Sequence, residues 1–105
     1  MPRIDANFYK TVSALGQDTE IYSIPAGKKL RVMEIGGDAG NTPDTLVCIV
    51  YDHGGADEKI LLATHGDASR PIDELLDGGK DVKIILDNDA AASESMGGWW
   101  RGHVG

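Results

Sequence analysis

Disulfide chemistry is the first thing the sequence excludes: among 105 residues there is one cysteine, Cys48, so no internal disulfide framework can form. Its setting, Leu46-Val47-Cys48-Ile49-Val50, is apolar on both sides, and the expectation is a buried thiol behaving as a small hydrophobe. Basic charge is also scarce. Ten Lys and Arg against seventeen Asp and Glu leave a formal charge of −7, which argues against a nucleic-acid backbone or an anionic membrane as the main partner. The Lys28-Lys29 pair is read as a solvated strand start.

Long apolar runs are missing too. None approaches the ~18 residues of a membrane span, and Met1-Pro2-Arg3-Ile4-Asp5 does not look like the start of a signal peptide. The expected location is accordingly a cytoplasm, with release by lysis. Motifs for nucleophiles and phosphates are absent: no G-x-S-x-G, no G-x-x-x-x-G-K-[ST] and no G-x-G-x-x-G before a helix. A chain of this size folds as one domain, residues 1–105, whose core leaves little interior for a deep active site.

What is abundant is glycine. Fourteen are spread through the chain, some of them beside Asp or Asn, and they cut it into strand-length segments. The expected strands cover residues 8–15, 20–24, 28–35, 45–51, 59–64, 81–87 and a closing run, 97–105. The region 72–76 is read as a strand in preference to a helical turn. Gly16-Gln17-Asp18 reads as a turn, residues 36–44 and 88–96 as loops, and Asp77-Gly78-Gly79-Lys80 as a hairpin. Pro25-Ala26-Gly27 suits a type II turn with Pro second and Gly third. Residues 45–51, apolar throughout, belong in the middle of a sheet, joined by Asp52 to Asp57 to an antiparallel neighbour. About seven or eight strands at such spacing predict an all-β fold, an antiparallel sandwich of jelly-roll character.

Two segments carry metal-ligand residue types. His65-Gly66-Asp67 is an H-x-D pair, and His103 could complete a facial triad for a non-haem iron. No basic residue is placed to hold an acidic co-substrate, however, and a His beside Gly and Asp is more often an exposed turn residue. Asp87-Asn88-Asp89 opens like a calcium loop, but Ala91 and Ala92 occupy the positions of an oxygen ligand and the required glycine. The expectation is therefore no metal, no cofactor and no catalytic residue.

Trp99 and Trp100 are the strongest surface clue. In a strand they point to opposite faces, so one enters the core and the other stays outside as an interface or ligand anchor. A carbohydrate or another small ligand stacking on that ring is the alternative to a subunit contact.

The early strand-turn-strand around Gly16, the Ile24-Pro25-Ala26-Gly27-Lys28-Lys29-Leu30 turn, the Asp-Gly-Gly-Lys segment and the aromatic-glycine end together resemble small all-β accessory proteins of tailed-phage virions, of the capsid-decoration type. The resemblance implies a non-catalytic structural role. Its partners would be other proteins: a capsid or tail lattice, or further copies in a homo-oligomer.

Overall fold

A computed structural model describes residues 2–40 and 43–105; Met1, Asn41 and Thr42, on which the N-terminal and 36–44 loop readings partly rest, lie outside the described residues. The strands are β1 (Arg3–Val12), β2 (Gly16–Ser23), β3 (Lys29–Asp38), β4 (Thr45–Tyr51), β5 (Lys59–Thr64), β6 (Asp67–Asp77), β7 (Asp81–Asn88) and β8 (Glu94–Val104). Among the described residues there is no helix. Sheet A has the order β1-β8-β3-β6 and sheet B the order β2-β7-β4-β5, with every pairing antiparallel.

The pairing is nested: β1 with β8, β2 with β7, β3 with β6, β4 with β5. A ribbon doubled back at the β4–β5 turn and then rolled gives this order, so the expected β-sandwich is a jelly roll. One connection, β4 to β5, is a hairpin within a sheet; every other joins one sheet to the other.

That arrangement corrects several local readings. Residues 77–80 do not form a hairpin, because β6 belongs to sheet A and β7 to sheet B. The segment is an arch, held where Gly79 N–H donates to the Ile24 carbonyl at 2.8 Å. Gly16 to Asp18 is strand, paired with Asn88 to Leu86. The turn precedes it, with Leu15 at φ 55° and Gly16 N–H bonded to the Ser13 carbonyl at 3.0 Å. The second turn runs from Pro25 to Lys28, closed by Lys28 N–H to the Pro25 carbonyl at 3.1 Å. Proline is thus first, not second, and Gly27 supplies the left-handed third position at φ +80°. Both predicted loops are shorter than read: β3 runs on through Gly36-Gly37-Asp38, and β8 begins at Glu94.

Alternation along the inner strands builds the core. Val32 and Ile35 from sheet A meet Val47, Ile49, Ile84 and Leu86 from sheet B, all fully or almost fully buried. The open sides of the sandwich are closed by polar contacts. Lys10 and Asp18 pair at 3.3 Å between β1 and β2. On the other side Lys59 meets Glu74 at 3.4 Å, and Arg70 Nη2 donates to the Leu61 carbonyl at 2.6 Å.

Candidate functional site

With the interior filled, the surfaces open to function are the outer faces of the two sheets. On sheet A the tryptophans divide as strand geometry requires. Trp100 is only 1% exposed, and its ring meets Tyr22 edge-on at 5.4 Å between centroids. It cannot serve as an outward anchor, which leaves Trp99 for that role. Trp99 lies on the outer face against Gly36, where a Cβ would come within 2.5 Å of the ring, so only glycine fits beneath it. The Arg101 guanidinium stands over the same ring, 4.9 Å from its centroid. The indole is therefore already engaged by the chain's own groups.

Beside it, Tyr9 lies over Gly97, and Asp38 and Asp67 stand directly opposite each other on β3 and β6. A hydrogen bond to Asp38 raises the Asp67 carboxyl above its ordinary range, and the Asp38 charge adds to this. Partial burial raises the Tyr9 phenol, with smaller contributions from the two carboxylates. Gly37, Asp38, Asp67, Ser69 and Trp99 line a shallow depression of about 340 Å³. Its carboxylates and hydroxyl could accept or donate hydrogen bonds to a polar ligand. From Arg101 to the far end this face is laced with ion pairs: Arg101–Glu34 at 3.7 Å, Arg3–Asp5 at 3.3 Å, Arg31–Asp73 and Lys29–Asp77 at 2.6 Å.

The structure does not assemble the histidine triad. Asp67 lies opposite Asp38, which pairs with Gly97, whereas His103 is six residues further along β8, roughly 20 Å for an extended strand. His65 is occupied: its Nδ1–H donates to the Thr45 carbonyl at 2.8 Å. Among the described residues no three His, Cys, Asp or Glu side chains are grouped to hold a metal ion. Asn88, read as part of a possible calcium loop, is instead fully buried. Its Nδ2 donates to the carbonyls of Val12, Ser13 and Ala92 at 2.9–3.2 Å, and its Oδ1 accepts from Ala90 N–H. It ties two turns to the sandwich.

The outer face of sheet B was missed in the sequence. The register aligns two central rows of outward residues: Ile21, Lys83, Val50 and Ile60 in one, Thr19, Ile85, Cys48 and Ala63 in the next. A third row begins Gln17, Asp87, Leu46. Ile21 and Ile60 are 53% and 64% exposed, unusually open for such large side chains. Val50 is 3% exposed yet stands outside the main core cluster, covered only by its neighbours on this face. Cys48 is half-buried here and not in the core as expected. Partial burial, and less so the Glu58 charge, raises its thiol above the usual range, which keeps it protonated and a poor nucleophile. The signal for this face lay in Ile21, Ile60 and Ile85, but only the strand order brings them together.

Fold and surfaces together define a jelly-roll sandwich whose distinctive chemistry lies on its outside. No family model and no curated protein matches the chain. Among solved structures it is similar to the mitogen of Yersinia pseudotuberculosis, with 13% identity, a TM-score of 0.59, and 94% of this chain and 85% of that one covered. It also aligns with the Drosophila NLP core, a structure concerned with pentamer formation and histone binding, at 12% identity and a TM-score of 0.47 over 93% of this chain and 96% of that one. A third alignment is to infectious bursal disease virus, Gx strain, at 10% identity and a TM-score of 0.29, over 96% of this chain and 31% of that one. At these identities the likeness to the mitogen is one of fold. The resemblance to virion proteins is met only at the level of an all-β sandwich.

Proposed function

We propose that the chain is a non-catalytic structural and interaction module that assembles with copies of itself or onto a repetitive protein lattice, as a decoration-type virion accessory would. On this reading it works in a virion or host cytoplasm. The observation that carries it is the outer face of sheet B, where Ile21, Ile60, Ile85, Leu46 and Cys48 form an apolar surface on a sheet that no layer covers among the described residues. Such a surface costs free energy in water and gains it when covered. Sedimentation equilibrium from micromolar to millimolar protein tests this: the mass should climb above the 11.2 kDa of one chain. A single monomeric species throughout, with no retention on capsid or tail particles, would sink the proposal.

A second reading is carried by the depression beside Trp99. There a polar ligand, such as a sugar, would stack on the indole and bond to Asp38, Asp67 and Ser69. It must first displace Arg101 from the ring. Titration of tryptophan fluorescence with oligosaccharides, using Trp99→Phe as the control, checks it: a response that survives the substitution does not come from this site.

A further inference from the structure

We infer that the outer face of sheet B is a self-complementary docking surface for a second copy of this chain, aligned by reciprocal pairing of Lys83 with Asp87. The inference rests on the assembly reading above and adds the surface, the partner and the geometry. Lys83 and Asp87 are the two outward charges on β7 that flank Ile85, one in each of the rows beside it. Among the described residues neither has an ion pair within its own chain. Lys83 lies between the apolar Ile21 and Val50, and Asp87 between Gln17 and the apolar Leu46.

Covering such a face is favourable only if those charges are paired as they lose water, because an unpaired buried charge costs more than the apolar contact returns. That requirement selects the symmetry. Two sheets stacked face to face can be related by a two-fold axis in the plane between them, running either along the strands or across them. An axis along the strands between β7 and β4 sets β7 of one copy on β4 of the other. Lys83 would then cover Val50 and Asp87 would cover Leu46, leaving four charges buried without partners. An axis across the strands, through the row of Ile85, sets β7 on β7 in opposite directions. Ile85 then meets Ile85, Cys48 meets Cys48, Leu46 meets Val50, and each Lys83 faces the other copy's Asp87. Asp81 and Asp89 fall at the rim, where twisted sheets diverge.

The test uses charge reversal in the full chain. Lys83→Glu and Asp87→Lys each turn two attractive pairs into two repulsive ones, so each variant alone should dimerise at least about tenfold more weakly than the wild type. An equimolar mixture of the two variants restores both pairs in a heterodimer and should recover association, as should the double variant. Alkylation of Cys48 gives an independent readout. Its rate should fall with wild-type concentration and stop depending on concentration in either single variant. Circular dichroism and emission from buried Trp100 verify that each variant is folded. If the wild type oligomerises but the variants do so equally well, or the mixture gains nothing, this surface is wrong while the assembly reading stands. If the wild type never self-associates, this surface is wrong, and the assembly reading falls with it only when the protein is also not retained on capsid or tail particles.

Discussion

The outer faces of sheets A and B face water through the same strand alternation, yet they are furnished differently. Sheet A presents Lys29–Asp77, Arg31–Asp73, Arg3–Asp5 and Arg101–Glu34 pairs along its length and a Trp99 ring already engaged by Gly36 and Arg101. Sheet B presents isoleucines, a thiol and a leucine, with its charges confined to single residues. Exposed ion pairs add little stability, typically below about 1 kcal/mol each, but they keep a surface wet and unattractive to partners. The conspicuous tryptophan therefore lies on the better-defended face, and the better docking surface is the one without large aromatics.

The largest expected effect would break this comparison outright. The double substitution Ile21→Lys with Ile60→Lys should weaken self-association by roughly two orders of magnitude, while Tyr9→Ala with Trp99→Ala should leave it near wild type. Sedimentation of both variants decides the matter; the reverse result would transfer the interface to sheet A. Stability should separate the two tryptophans next. Trp100→Ala removes a core side chain and should cost about 3–5 kcal/mol in urea unfolding. Trp99→Ala forfeits a surface stack and a cation–π contact, so about 1 kcal/mol is expected. Equal losses would mean that sheet A's outer face is structurally indispensable and not merely a solvated surface.

The smallest effect concerns the carboxylates on sheet A. The Asp67 pKa is raised in the folded protein, chiefly by its hydrogen bond to Asp38. Its contribution to stability is present below the ordinary carboxylate pKa and is lost as pH rises through the higher folded value. At neutral pH the wild type therefore lacks that contribution, and Asp67→Asn should melt slightly higher. The difference should vanish in acid. Melting curves from neutral to acidic pH check this, and an Asn variant that melts lower at neutral pH would contradict it.

Part of this molecule could be read from the residues in order. β4 and β5 match the expected bounds because glycine- and aspartate-rich segments bracket them and because they form the one hairpin, where neighbours in sequence are neighbours in space. The Trp99 and Trp100 alternation was equally plain, but which ring turns inward depends on the sheet to which β8 belongs. The segment Gly36-Gly37-Asp38 reads as a loop by composition; it is strand because β6 and β8 pair with it and the Trp99 ring needs Gly36 beneath it. β6 contains Pro71, which is tolerated on this strand because it lies at the edge of sheet A. The apolar face of sheet B was illegible for a deeper reason. It is assembled from four separated segments whose register no local pattern reveals.

The nested order of strands also sets a timetable. β8 lies between β1 and β3 in sheet A, whereas sheet B needs nothing beyond β7. As the chain is made from its N-terminus, sheet B can close while β1 and β3 still hold unsatisfied backbone edges across an empty lane. The same delay leaves the pocket for Trp100 vacant, with its greasy lining open to water. Refolding should be slow, as expected for contacts between distant segments, and the half-finished form, not the native one, is the species most prone to stick to its neighbours.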